Sequence, residues 1–266
     1  MRKVILHTPP ETIRRLCCAV DARDYSSRTA ADQFDLQADL VDLLAAAAQG
    51  ARLERLAWSR QEGGDGELSL LPPEQSESVL IDDFVRELDA ALHRHNRVRL
   101  PEARLRLRVA IHFGVVFPAA SGYAGPAAVV VSRLLASRPL KQALESAPDT
   151  DLVVGLSDGV YQDTVLGRLT KTLPEAFDQH RIDDEKYRGL IWIRTVERPR
   201  GGAGMGGTAQ DPISSAGTSG TSRTAKEPTV KKRPVEERPA RQSMENVFNG
   251  DVQAEVIGYK TVGSGS

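Results

Sequence analysis

Cysteine is nearly absent. The only two, Cys17 and Cys18, are neighbours in the chain. Successive residues of a strand point to opposite faces, so this pair does not bridge itself, and the surrounding sequence supplies no metal-ligand set beside it. Both are expected as small buried hydrophobes in a reducing compartment. Long apolar runs are missing as well: nothing approaches the roughly 20 residues that cross a bilayer. The segment Met1-Arg2-Lys3-Val4-Ile5-Leu6-His7 holds three consecutive apolar residues, too few for a signal-peptide core. The expectation is a cytoplasmic protein. Neither sign of charge is in excess, with 35 Lys and Arg against 36 Asp and Glu. A formal charge of −1 provides no long-range field to draw nucleic acid or an anionic membrane, and neither is expected as a partner. Nothing assembles as a Ser/His/Asp triad. The glycine-rich run 201–207 lacks the preceding strand and the Lys-Ser/Thr ending of a phosphate-binding loop, which leaves a linker.

What the chain does contain is concentrated before Val196, where nearly all aromatic and β-branched runs fall. Composition divides it into a globular domain over 1–198, a disordered linker over 199–243 and a short hairpin-like segment over 244–266 around Asn249-Gly250. A domain of this size buries a self-sufficient core without disulfides or structural metal. Apolar spacing predicts helices over 29–50, 76–96 and 127–144, the last interrupted near Pro139. A short helix with Ser157 as its N-cap is expected over 157–166. Strands are expected over 16–21, 105–117 and 151–156, with a hairpin at 53–71 turning at Gly63-Gly64-Asp65-Gly66 and an antiparallel pair at 177–182 and 190–196. Strands alternating with helices, with hairpins among them, predict an α+β sandwich: one mainly antiparallel sheet covered by helices. The alternation Arg104, Arg106, Arg108 puts three guanidiniums on one strand face, expected as solvated charge.

The apolar run Leu16–Val20 ends abruptly on Asp21. A carboxylate at the end of a buried strand is poorly solvated and needs a metal, a cation or hydrogen-bond donors. Asp65, between glycines at the hairpin tip, is a second acid in a tight setting. If the two strands lie side by side, Asp21 and Asp65 meet at one sheet edge. The ordinary use of Asp in such places is a strand-end cap or a turn acid. His112, among apolar strand neighbours, is expected as a satisfied structural histidine.

Together these pieces resemble the class III nucleotidyl cyclase homology domain of adenylate and guanylate cyclases, over about Arg15 to Thr195. Asp21-Ala-Arg-Asp-Tyr-Ser resembles the family's Asp-x-x-Gly-Phe-Ser/Thr, and Gly64-Asp65-Gly66 its hairpin Gly-Asp-Gly. Arg108-Val-Ala-Ile-His-Phe-Gly114 is similar to Arg-x-Gly-Ile-His-x-Gly. Gly125 with Ala128 to Leu134 resembles Gly-x-x-Val-Asn-x-Ala-Ser-Arg-Leu. The resemblance implies a ferredoxin-like cyclase sandwich in which Asp21 and Asp65 hold two Mg2+ or Mn2+ ions. These ions serve attack of a ribose 3′-hydroxyl on the α-phosphorus of a nucleoside triphosphate while pyrophosphate leaves. Backbone N–H groups between Asp21 and Ser27, including those of Tyr25 and Ser26, would cradle phosphate. Arg133 matches the cation that meets charge on the α-phosphate, supplied in the family by a partner subunit. Lys186 is the candidate for a basic triphosphate contact near the last strands.

The departures make the resemblance a degenerate one. Gln61 and Gly122 stand at the two base-selecting positions and match neither the adenine nor the guanine pair. Val129 replaces a ribose-orienting Asn, and Asp24 replaces a glycine beside the phosphates, unhelpful unless metal or Arg23 compensates. Two functions follow as expectations. One is a signalling module that binds Mg-nucleoside triphosphate at a homodimer or heterodimer interface with weak or no turnover, its tail available to an effector protein. The other is an active cyclase, including one for a pyrimidine nucleotide.

Overall fold

The computed structural model describes residues 11–119 and 122–196. The expected linker and the Asn249-Gly250 hairpin lie outside the described residues. Eight strands form the sheet: β1 (Ile13–Ala22), β2 (Ser59–Glu62), β3 (Gly66–Leu70), β4 (Leu107–Ala119), β5 (Gly122–Ala124), β6 (Leu152–Ser157), β7 (Asp178–Asp183) and β8 (Arg188–Thr195). Their order is β2-β3-β1-β4-β6-β8-β7, with β5 folded back on the end of β4. All pairings are antiparallel except β4 with β6. The architecture is the expected α+β sandwich.

β1 is central, and its apolar run is continuous because both of its faces are covered. Leu16, Cys18 and Val20 join one core cluster, while Cys17 and Ala19 join the other. Burial pushes both thiols up to about 12; at Cys18 the charge of Glu67 adds to the effect. They are free and inert, as expected. On the first face lie α1 (Ala30–Gly50) and a rod in which α2 (Glu77–Val79) continues through a π-helical stretch (Leu80–Phe84) into α3 (Val85–Asn96). Thr29 caps α1 by accepting from the Asp32 N–H. On the second face lie α4 (Pro126–Ala136) and α5 (Arg138–Ser146). Ala127, Ala128 and Val131 of α4 share a core with Cys17, Ala19 and Ala110, small residues that let helix and sheet approach closely. Ser137, in extended conformation, breaks the two helices apart, and Pro139 sits in the first turn of α5, where its missing N–H costs no hydrogen bond.

Two local expectations are corrected. Ser157 precedes α6 (Asp158–Val160), which continues as a π turn over Tyr161–Leu166, but its side chain makes no cap. Ser157 Oγ instead lies 2.9 Å from His112 Nδ1. The arginine row is not solvated charge either. Arg104 pairs with buried Asp151 at 2.5 Å, Arg106 donates to the carbonyls of Thr150, Leu144 and Ala147, and Arg108 binds Asp21. The sheet edge surrounds each guanidinium with acceptors, including the free carbonyls at the end of α5.

His112 is satisfied through Ser157, and its pKa is lowered by burial first and by the Arg14 charge second. His95 is also lowered, mainly by burial. The unfolded chain, titrating near a pKa of about 6.5, therefore binds protons before the folded one does. Stability contributed by the neutral rings is complete above that pH and declines as pH falls below it. The melting temperature is expected to drop as pH falls below about 6.5, and His112→Gln should flatten the drop. An unchanged slope in that variant would remove His112 from the explanation.

Candidate functional site

β1 delivers Asp21 to the sheet edge between two neighbours: its Cα partner on β3 is Gly66, and on β4 it is Arg108. The hairpin tip is tied to the same point, because the Ala22 N–H donates to the Asp65 carbonyl at 2.8 Å. Asp21 and Asp65 therefore meet at one edge, and the charge of Asp65 acts on Asp21.

The dominant contact of Asp21 is with Arg108. Arg108 Nε–H reaches one carboxylate oxygen at 2.7 Å and Nη2–H reaches the other at 2.8 Å. The side chains are 13% and 16% exposed for Arg108 and Asp21. Burial raises the Asp21 pKa, Arg108 opposes that by hydrogen bond and charge, Asp65 raises it further and Lys141 of α5 lowers it. Both Asp21 oxygens are thus committed, and among the described residues no three His, Cys, Asp or Glu side chains group as a metal site. While Arg108 holds Asp21, the residues do not fit a pair of divalent ions.

Tyr25 lies in a 3-10 turn (Tyr25–Ser27) entered through Asp24 in left-handed conformation, φ 61°. Its hydroxyl accepts from Gln37 Nε2 at 2.6 Å, and its ring lies against Gly64, so Tyr25 joins the β1–α1 loop to the hairpin tip. Ser26 is exposed. The acid at Asp24 is met by Arg23, Nε to Oδ2 2.9 Å. An open cleft of ≈580 Å³ flanks this loop, lined by Arg23, Asp24, Arg28, Arg104 and Arg106 among others, and excludes Asp21 and Asp65.

Gln61 and Gly122 come together although 60 residues of chain separate them. A Cβ built on Gly122 would lie 3.0 Å from Gln61 Oε1, and the positive φ of 122° at this residue also favours glycine. Next to them, Tyr123 Oη donates to Ser59 Oγ at 3.1 Å. Arg133 is half-buried on α4 with no ion pair among the described residues. It is absent from the charges acting on Asp21, and Val129, one turn away, is 48% exposed.

Lys186 lies apart from the two acids within one chain. Its N–H donates to Asp184 Oδ1 in the β7–β8 turn. The register runs Asp21, Arg108, Val153, Thr195 across the sheet, whereas that turn adjoins Arg188 at the other end of β8. At about 3.3 Å per residue the turn is on the order of 20 Å along the sheet from Asp21, so the chain does not bring Lys186 to its own acids. Sequence reasoning missed Arg108 and Lys141 as partners of Asp21. The signal for Arg108 was present: a strand-end acid needs a cation, and an arginine opens the next long apolar strand.

No protein-family model matches the sequence, and no curated protein matches it. Among solved structures it is similar to an adenylate/guanylate cyclase/hydrolase from Silicibacter pomeroyi. That pair is 19% identical over 70% of this chain and 100% of the other, with a TM-score of 0.48. It is also similar to the catalytic core of a rhodopsin-guanylyl cyclase with converted specificity, at 13% identity, 71% and 100% coverage and TM-score 0.47. A dimeric guanylyl cyclase domain from Blastocladiella emersonii gives 10%, 69% and 97%, and 0.46.

Proposed function

We propose that residues 11–196 form a cyclase-like signalling module that binds a nucleoside triphosphate with Mg2+ or Mn2+ where two copies, or this domain and a second cyclase-like one, meet, and that turnover is slow or absent. The observation that carries this is the convergence of Asp21, the Asp65 hairpin tip and the Tyr25 loop at one sheet edge. The contact of Gln61 with Gly122 supports a base-facing position that departs from both purine pairs. Arg133, without an ion pair among the described residues and one turn from exposed Val129, suits a surface that faces another protomer. Apolar Val129 offers no hydrogen bond to a ribose, and the Arg108 clamp on Asp21 disfavours a permanently loaded metal site. Both features support slow turnover.

One observation favours the alternative of an active cyclase that releases pyrophosphate: Arg23 neutralises Asp24, which removes the objection to an acid beside phosphates. Incubation with each of the four nucleoside triphosphates and Mg2+ or Mn2+, followed by a search for cyclic product, separates the two. The proposal expects little or no product, together with binding that weakens by at least about tenfold in Asp65→Ala, the loss of one charge-assisted contact. Robust product abolished by Asp65→Ala would establish the alternative.

A further inference from the structure

The cleft beside the β1–α1 loop has a lining unlike that of the Asp21 edge. Hydrogen bonds to backbone tie its four arginines together: the Arg23 N–H donates to the Arg106 carbonyl at 2.9 Å, and Arg28 Nη2–H donates to the Arg104 carbonyl at 3.0 Å. Two of the four are neutralised, Arg23 by Asp24 and Arg104 by buried Asp151. Arg28 and Arg106 make no ion pair among the described residues. Arg106 spends Nε–H and Nη2–H on the carbonyls of Thr150, Leu144 and Ala147, which fixes the guanidinium and leaves Nη1 uncommitted. Burial lowers its pKa, and the charge of Arg23 lowers it further, so it is short of negative charge. Arg28 holds only the Arg104 carbonyl, and its Nε–H is buried with no acceptor. A buried donor without an acceptor is costly, so Arg28 loses little by turning to an anion.

The lining also contains acids. Asp32 accepts only from the Thr29 hydroxyl, and exposed Glu102 has no ion pair among the described residues. These carboxylates repel a highly charged polyphosphate but accept from hydroxyl or amine groups. At ≈580 Å³ the cleft exceeds what one phosphate fills and has the size of a small-molecule site. Two cations that lack carboxylates beside two carboxylates that lack cations complement a ligand with one phosphate and several hydroxyls.

We propose that this cleft binds a phosphate monoester with a hydroxyl-bearing body, a sugar phosphate or a nucleoside monophosphate, without a metal ion. Arg28 and Arg106 take the phosphate, and Asp32 and Glu102 accept from the hydroxyls. The site goes beyond the nucleotide-binding reading above and does not rest on it, because neither Asp21 nor Asp65 lines the cleft.

The test is isothermal titration of the full chain, in excess chelator, with ribose 5-phosphate, adenosine monophosphate, ribose and inorganic phosphate, with circular dichroism as the check on folding. Both esters are expected to bind, ribose not to bind, and inorganic phosphate to bind at least about tenfold more weakly than the esters. Arg28→Gln and Arg106→Gln should each weaken the esters by at least about tenfold, the loss of one charge-assisted contact. Arg106 also caps the end of α5, so Arg28→Gln carries the test if Arg106→Gln does not fold. Glu102→Gln should weaken the esters while leaving inorganic phosphate unchanged or tighter. Adenosine monophosphate tighter than ribose 5-phosphate would assign the nucleotide, and equal affinities the sugar phosphate; both uphold the site. No binding of either ester, undiminished binding by folded Arg28→Gln, or inorganic phosphate as tight as the esters would overturn it. Each of those results leaves the metal-dependent reading at Asp21 and Asp65 standing, since the chelator removes its ion.

Discussion

Gly66→Ala is expected to pull the hairpin off β1 and to abolish the proposed binding of a nucleoside triphosphate with Mn2+. A Cβ at this position would lie 2.2 Å from the Val20 carbonyl oxygen and 3.1 Å from Asp21 Cα. Both are backbone atoms of the central strand, and neither can rotate away. β3 must therefore retreat, which breaks the pairing of Gly66 with Asp21 and the bond from Ala22 N–H to the Asp65 carbonyl. The same displacement separates the two acids, so stability and binding should fall together. Overpacking of this kind costs about 3 kcal/mol at the upper end of its usual range. Gly64→Ala is the control, since its nearest neighbour is the Tyr25 hydroxyl at 3.3 Å, the far end of a side chain. It should cost under about 1 kcal/mol and leave binding intact. Urea midpoints and Mn2+ uptake measured on both variants decide the matter, and equal behaviour would mean that β3 is not seated against β1 as described.

Glu67→Ala should destabilise the domain by about 3–5 kcal/mol, because it leaves a buried guanidinium with no counter-charge. Glu67 and Arg55 are 3% and 9% exposed, and they form two parallel bonds of 3.0 and 2.6 Å. Ser69 donates its hydroxyl to the same carboxylate. The Arg55 guanidinium also lies 5.5 Å from the centre of the Trp58 ring, so it is enclosed on several sides. This polar group lies on the α1 side of the sheet, where Cys18 feels both charges. The double variant Arg55→Met/Glu67→Leu removes both charges while filling the space, and it is expected to recover much of the loss. A single variant as mild as an exposed substitution, within about 0.5 kcal/mol, would show that water reaches Arg55 in solution.

The regular elements could be read from the chain because each announces itself through its nearest neighbours. The stretch Leu16–Val20 is apolar at every position because β1 is covered on both faces, and the opposite destinations of Cys17 and Cys18 follow from strand geometry alone. Thr29 and Asp32 mark the start of α1, and Pro139 marks the break between α4 and α5. The roles of polar side chains were less legible. Ser157 has the composition and position of a cap, yet a histidine 45 residues earlier in the chain takes its hydroxyl. The row Arg104, Arg106, Arg108 has the alternation of a solvated face, but its acceptors come from the end of α5, the loop after it and the C-terminal end of β1. Strand direction puts Lys186 at the far end of the sheet from Asp21 of the same chain.

The sequence by itself determined the α+β class, the main helices and strands and the buried cysteines, because local periodicity and turn chemistry suffice for these, and it made the meeting of Asp21 with the hairpin acid conditional on β1 and β3 lying side by side. Only the tertiary structure decided that Arg108 closes on Asp21, that Gln61 abuts Gly122 and that Glu67 is paired inside the core. Each of those depends on which strands become neighbours and in what register, and a charge separated from its partner by up to 87 residues leaves no mark on the chain beside it.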